Sequence, residues 1–478
     1  MIERRNFFLF LSLFLQINVY AQFSPNQLLV YQEVLQLKTQ SATVRLSQED
    51  EKSATTSYLQ SYLFVLQLLA SQDDSLFQAN KQQEDEFLEK IRKTPKKTPN
   101  YYFLQAEIKI QWALVKLMFG ENLSAAWSIK QAYDLLIENQ RLYPKFLPTN
   151  KSLGLIHIGL GSVPEKYQWF LYLVGLEGDI SKGIKEMQTV IVSDSPFSLE
   201  TQMLFMLAQT YILHEPEKAL TEMQTTDPNS LLFQFIHTLA SMKAGKQIGI
   251  EHIPNNKEYL YSPLFDFLKG EISLLSGNYE QAISFYQLFL KNYKGRNYIK
   301  TAYYRLFLAA WLSKKITPTS YLDLCQQKGQ AQIESDKNAQ DFATKRQLPN
   351  PTLMQARLFT DGGAYEKAWE IIGLLEPENF DYQKDKVELL YRKARILDKQ
   401  GSYKEAINFY DQTISLSGNL PFYFAPNAAL QLGYLYQNIF KNRKLAIIYF
   451  KKALTYPIHE YKSSIDHKAK TALKQLSN

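Results

Sequence analysis

The chain has 478 residues, 45% of them hydrophobic, a formal charge of +7 and a single cysteine. One cysteine excludes an internal disulfide framework, so stability must come from packing, and 54 basic side chains interleaved with 47 acidic ones leave no concentrated patch of the kind nucleic acid requires. Nineteen glycines and 18 prolines are too few for the turns of an all-β sandwich, whereas the length suits two or three compact domains or one elongated repeat array.

The first residues read as a secretory signal over 1–21: Arg4 and Arg5 precede an apolar run from Phe7 to Leu15 and a small-residue site at Val19-Tyr20-Ala21. The run is shorter than the ~18 residues a membrane-spanning helix needs, which disfavours a retained anchor. Gln22, not a cysteine, follows the cleavage point, so the expected product is an exported, non-lipidated chain with no stable membrane insertion, periplasmic or secreted. Beyond it the pattern is helical throughout. Tyr58, Tyr62, Leu63, Val65, Leu66 and Leu69 share one face of a helix over 58–70, and Phe103, Leu104, Ile108, Trp112, Val115 and Phe119 do the same over 101–119. Between them, the basic run from Lys90 to Pro99 contains two prolines and reads as a solvated linker.

Internal repeats settle the architecture. Gly270, Gly277, Tyr279, Ala282 and Tyr286 set a spacing that recurs as Ala356, Gly363, Tyr365 and Ala368, and again as Ala394, Gly401, Tyr403, Ala406 and Tyr410. A fourth copy has Gly433, Ala446, Phe450, Ala453 and Pro457, with one extra residue and no glycine in the turn. Upstream, Ala113, Gly120, Ala125 and Ala132 fit the template, and Ala208 with Ala219 fits it loosely. The small residue lets two helices approach, the glycine supplies the turn, and the aromatic packs into the partner helix. One such hairpin cannot bury its own apolar faces, so neighbours must stack.

Residues 277–286 (Gly-Asn-Tyr-Glu-Gln-Ala-Ile-Ser-Phe-Tyr) and 401–410 (Gly-Ser-Tyr-Lys-Glu-Ala-Ile-Asn-Phe-Tyr) resemble the second helix of a tetratricopeptide repeat. The resemblance implies an all-α fold, an α-solenoid of stacked antiparallel helix hairpins in a right-handed superhelix, with a divergent N-terminal region over 22–254 and repeats over 259–478. The spacings of 38 and 39 residues between the last three copies exceed the family's 34, and the 86 residues from Gly270 to Ala356 leave room for a degenerate pair, 298–315 with 321–342. A second stretch, 159–167 with 174–184 and their glycine-rich turns, resembles part of the tetratricopeptide-39-like helical proteins, with Leu176 at a position where an aromatic is usual. Both resemblances imply binding, not catalysis.

Catalytic motifs do not emerge. His157, His214, His237, His252, His459 and His467 have no metal-site spacing; His214-Glu215 begins like a zinc-protease motif, but Lys218 and Ala219 stand where its second histidine belongs. Gly154, Gly159 and Gly161 lack the strand before them and the Gly-Lys-Ser after them that a phosphate loop needs, and read as helix packing. Cys325 reads as buried or inert. No catalytic residue, metal or cofactor is expected.

The resemblance also implies where a partner sits. First helices line the concave side, and the family's inward offsets fall on Arg357 in one copy, on Tyr391, Arg395, Asp398 and Lys399 in the next, and on Asn427, Leu430, Tyr434, Gln437 and Asn438 in the last. This polar, aromatic and cationic set suits an extended peptide held through its amides and an acidic group. Leu353 and Tyr391 occupy the lysine positions of the family's carboxylate clamp, so capture of a free C-terminus is not expected. Around Gly270 the same offsets give Leu264, Phe267, Leu274 and Leu275, an apolar stretch open to filling by another part of the chain. The expectation is a non-enzymatic scaffold with a protein or peptide partner; the alternative is a glycan or small-ligand protein on the same fold, marked by a deep aromatic-lined pocket.

Overall fold

Four of the longer helices open with the same chemistry, a side-chain oxygen cap followed at once by proline: Ser24-Pro25, Thr98-Pro99, Ser262-Pro263 and Asn350-Pro351. The cap oxygen accepts from an otherwise orphaned backbone N–H, and proline loses nothing at a position whose N–H has no helical partner. The structure, a computed structural model, describes residues 23–96, 98–163, 171–172, 175–222, 230–253, 259–313, 319–418 and 420–477, with no strand among them. The expected signal at 1–21, Pro164 to Tyr167 and Val174 of the glycine-rich stretch, and Pro254 at the expected boundary lie outside the described residues.

In chain order the N-terminal half contains α1 (Pro25–Leu35), α2 (Thr39–Leu46), α3 (Ala54–Ser71), α4 (Asp74–Ala79), α5 (Gln83–Arg92), α6 (Pro99–Met118), α7 (Asn122–Leu142), α8 (Pro148–Gly161), α9 (Ile180–Ile191), α10 (Ser198–Leu207, continued by a π-helical turn at Ala208–Ile212), α11 (Pro216–Thr221) and α12 (Leu231–Lys243). The C-terminal half contains α13 (Pro263–Leu275), α14 (Tyr279–Asn292), α15 (Ile299–Ser313), α16 (Thr319–Gln327), α17 (Glu334–Lys345), α18 (Pro351–Asp361), α19 (Tyr365–Ile372), α20 (Gln383–Gln400), α21 (Tyr403–Ser417), α22 (Phe424–Asn438), α23 (Arg443–Ala453) and α24 (Lys462–Ser477). Sequential neighbours pair as hairpins: α6 with α7, α8 with α9, α13 with α14, α18 with α19, α20 with α21 and α22 with α23.

The turns repeat one geometry. Gly120, Gly277, Gly363 and Gly401 take φ of +79° to +84°, and the next residue donates its N–H five residues back, as Ser402 does to the Leu397 carbonyl at 2.9 Å. That left-handed cap satisfies the carbonyls at the helix end. In two hairpins the bond reaches six residues back instead, Glu215 to Gln209 and Asn442 to Tyr436, and His214 (φ +59°) and Lys441 (φ +52°) take the glycine's place. The loose copy at Ala208 and the extra residue in the last copy are thus one variant of the same turn.

Two expectations are corrected. The degenerate pair between Gly270 and Ala356 is not two helices, because residues 328–333 break its second member into α16 and α17, both packed on α15. Stacking is also not strictly sequential. The turn after α13 also meets α18, where a Cβ on Gly277 would stand 2.8 Å from Phe359, while Met354 and Leu358 of α18 pack in one core with α15, α16 and α17. Of the three glycines read as packing positions, Gly154 of α8 faces Gly183 of α9 so closely that a Cβ on either would meet the other's carbonyl oxygen, and a Cβ on Gly161 would stand 2.9 Å from Ile180, but Gly159 faces open space.

The core of the N-terminal half surrounds a charge. Lys151 is buried, bonded to Glu107 and 2.7 Å from Glu200; Glu107 also accepts from Ser152, and Glu200 accepts from Tyr31 at 2.6 Å and Tyr62 at 2.8 Å. This network ties together α1, α3, α6, α8 and α10. The same apolar core runs on without a break into Phe265, Leu268 and Ile272 of α13. Burial alone lowers the Lys151 ammonium, but its two carboxylates outweigh that and hold it above the usual lysine range. Burial, reinforced by Glu200, pushes the phenols of Tyr31, Tyr58 and Tyr62 well up.

Replacing Lys151 with Met leaves two carboxylates buried without their cation, and urea unfolding should register a loss of about 3–5 kcal/mol. Lys151 and the three phenols hold their protons more tightly folded than unfolded. The stability they contribute is therefore complete below about pH 10, where the unfolded groups begin to titrate, and is lost as pH rises beyond it. The melting temperature of the chain should fall steeply above that pH, and less so in a Tyr31→Phe, Tyr62→Phe variant.

Candidate functional site

The first helices of three consecutive hairpins, α18, α20 and α22, pack side by side and carry all eight residues that the sequence singles out. Arg357 of α18 is half-buried, 3.6 Å from Asp361 one turn on. Tyr423 is the main influence holding its charge, burial opposes it, and Asp361, Tyr304 and Glu388 add to the first. Tyr461, from the loop before α24, bonds Arg357 and meets Tyr423 edge-on at 5.4 Å.

On α20, Arg395 donates to Gln431 of α22 at 3.0 Å and lies 3.4 Å from Asp398, which accepts from Tyr410 at 2.8 Å. Lys399 is 3.2 Å from Glu217 of α11. Tyr391 is a different case. It is only 3% exposed, accepts from Asn427 at 2.7 Å and packs against the rings of Tyr423 and Phe424. Its ring belongs to the floor beneath the groove and is not offered to a ligand. Tyr434 sets its ring against Phe450 of α23 at 5.2 Å, Gln437 keeps a buried side-chain oxygen without a partner, and Asn438 is exposed. None of these three joins the cluster; Asn427 and Gln431 are the α22 residues that do.

Gln431 was not singled out by sequence, and neither were Arg392 and Tyr461. Arg392 is buried, bonded to Glu388 at 2.8 Å and to Tyr423 at 2.9 Å. Its spacing of four from Glu388 was visible, but its burial depends on Tyr423 arriving from the next repeat. Tyr461 reaches Arg357 across two repeats, and no local pattern announces that.

The tyrosine–carboxylate–arginine arrangement occurs a second time. Tyr286 of α14 donates to Glu271 at 2.6 Å, and Glu271 pairs with Arg305 of α15 at 2.8 Å. This arrangement therefore also fastens one hairpin to the next. Arg305 makes the link itself, whereas Arg395, Asp398 and Tyr410 share one hairpin and reach the next through Gln431.

Other concavities lack the marks of a chemical site. One of about 740 Å³ lies among α9, α10 and α11, where Phe205 is the aromatic among the described lining residues, and one of about 680 Å³ at the end of α12 is lined in part by Phe233. Among the described residues no group of three histidine, cysteine or acidic side chains is placed to hold a metal ion, and no helix is long and apolar enough to cross a membrane. Cys325 is buried against the carbonyls of Lys300 and Ala339, and burial pushes its thiol up to about 11, which removes its nucleophilic form. His157 is buried with Nδ1 2.6 Å from Glu186.

Residues 387–420, which hold Tyr391, Arg395, Asp398, Lys399 and the Gly401 turn, match the tetratricopeptide repeat family. The chain carries a tetratricopeptide repeat. The matched stretch is most of α20, its left-handed turn and α21, the hairpin that forms the middle of the cluster. A solved structure, the TPR domain of P58(IPK), aligns with 87% of this chain and 98% of its own at 14% identity, with a TM-score of 0.21; that superposition is too loose to bear on the fold. No curated protein matches the chain. Repeats of this family serve in general as scaffolds for protein–protein interaction.

The placement of Tyr391 makes a prediction. Tyr391→Ala should cost about 3–5 kcal/mol in chemical denaturation, as for other buried aromatics, whereas Asn438→Ala on the same groove should change stability by no more than about 0.5 kcal/mol.

Proposed function

We propose that this chain is an exported interaction scaffold of the cell envelope, most simply of a bacterial periplasm, that holds an extended segment of a partner protein along α18, α20 and α22. The reading involves no catalytic step, no cofactor and no nucleic acid. Its location rests on the sequence of residues 1–21. Its mode of binding rests on one observation above the others: Arg357, Arg395, Asn427 and Gln431 stand on consecutive first helices that pack side by side, and guanidinium and amide groups are the kind that bond the backbone carbonyls and N–H groups of a strand-like ligand.

The tyrosines about Arg357 favour a second reading, a glycan or small ligand stacked on Tyr304, Tyr423 and Tyr461. Tyr423 and Tyr461 meet each other edge-on and so spend part of their faces within the protein, which places this reading second.

Affinity capture from an envelope extract distinguishes the two. The mature chain should enrich one protein, and an Arg357→Ala, Arg395→Ala variant with unchanged helical circular dichroism should lose it, with affinity reduced roughly tenfold or more. Undiminished capture by the variant removes the groove from the function, and enrichment of glycan without protein replaces the first reading by the second.

A further inference from the structure

A cavity of about 610 Å³ opens between the end of α8 and the start of α9, within the roughly 300–1,000 Å³ common for small-ligand sites. Backbone pins its rim. Gly178 presses on the end of α8, where a Cβ would stand 2.2 Å from the Gly161 nitrogen, and the Asp179 N–H donates to the His157 carbonyl at 3.1 Å. Asp179 then caps α9, one carboxylate oxygen accepting from the Lys182 N–H at 2.9 Å. The glycine-rich stretch thus builds a rim that is in place before any ligand arrives.

One side chain in the wall is buried and only half used. His157 is 1% exposed, with Nδ1 2.6 Å from Glu186 of α9 and its ring edge-on to Tyr133 of α7 at 5.9 Å. A carboxylate only accepts, so in the neutral imidazole Nδ1 carries the proton and Nε2 keeps its lone pair. No described residue bonds Nε2. Because the ring lines the cavity, Nε2 is what it offers to a ligand with an N–H or O–H.

The charges nearby select the sign of that ligand. Glu177 and Asp179 line the same cavity and Glu186 stands behind His157, against one lysine, Lys182, whose Nζ is 3.9 Å from Glu186. No described residue bonds the Glu177 carboxylate. Such a surplus of carboxylates draws a cation and turns away an anion. The rest of the wall is apolar, with Leu160, Leu171 and Leu176 beside the ring of Tyr172, which is 77% exposed and has a face to set against a positive charge.

We propose that this cavity binds a primary ammonium group carried on an apolar stem. The ammonium donates to His157 Nε2 and to the Glu177 carboxylate, the face of Tyr172 covers its charge, and the stem lies against the leucines. A lysine side chain of a partner and a free aryl- or alkylamine share that chemistry. The site has no residue in common with the groove on α18, α20 and α22 and does not depend on it.

Saturation-transfer NMR on the whole mature chain tests this with phenylethylamine beside neutral and anionic counterparts, phenylethanol and phenylpropionate. The amine should bind with a dissociation constant of roughly 1 mM, ordinary for so few atoms, and the other two at least about tenfold more weakly. Glu177→Gln, at an exposed position, should weaken the amine about tenfold with unchanged circular dichroism, and His157→Gln should do the same. Should the buried His157→Gln fail to fold, Tyr172→Ala, exposed like Glu177, takes its place with an expected loss of about threefold. A lysine blocked at both ends separates the sources: binding as tight as that of phenylethylamine assigns the site to a partner's lysine, and binding of the free amine alone assigns it to a small molecule. Equal binding of amine, alcohol and carboxylate overturns the proposal. So does amine binding that Glu177→Gln and Tyr172→Ala leave unchanged, or the absence of binding by either amine at about 10 mM.

Discussion

Every recognisable hairpin depends on two helices coming closer than ordinary side chains permit. A residue with little or no side chain on the first helix lies under a ring from the second: a Cβ on Gly270 would stand 2.7 Å from Tyr286, and one on Gly433 would stand 2.5 Å from Phe450. Where alanine replaces glycine, at Ala356 and Ala394, the residue is completely buried. Close approach brings the second-helix tyrosines within reach of first-helix carboxylates, Tyr286 of Glu271 and Tyr410 of Asp398. Those carboxylates in turn fix Arg305 and Arg395. The placement of the groove arginines thus begins with the absence of a few methyl groups.

This constraint was also what the sequence displayed most openly. Small residue, turn glycine, aromatic and alanine recur at fixed spacing because each does a local job, and local jobs leave periodic traces. The turns at Gly120, Gly277, Gly363 and Gly401 were all legible for that reason. Their variants at His214 and Lys441 were only half legible, since an added residue shifts the spacing while the turn keeps its form. The split of one second helix into α16 and α17 was not legible, because residues 328–333 interrupt a stretch whose apolar spacing runs on through both pieces.

The groove shows the limit from the other side. Family offsets led to the right helices, but an offset gives a direction and not a depth. Tyr391 points inward and is then covered by Tyr423 and Phe424, which belong to the next repeat and whose arrival no spacing encodes. The Lys151 network is hidden for a similar reason. Its five helices contribute one or two polar side chains each, separated by up to 169 residues, and Glu107, Lys151 and Glu200 each alone resemble residues on a solvated face. Only their convergence makes Lys151 a buried cation, and convergence is a property of the whole fold.

The seam at residues 245 and 363 has a mechanical meaning. A run of stacked hairpins ordinarily behaves as a spring, each interface yielding a little and the strain shared along the axis. Here the Gly245 turn sits against Gly363 with no space for a Cβ, the Tyr365 hydroxyl holds the Gly245 carbonyl, and Lys399 and Glu217 add a second fastening nearby. A pull on α24 is therefore borne at this seam as well as by the core that α18 shares with α13 to α17. The spring carries a clasp across it.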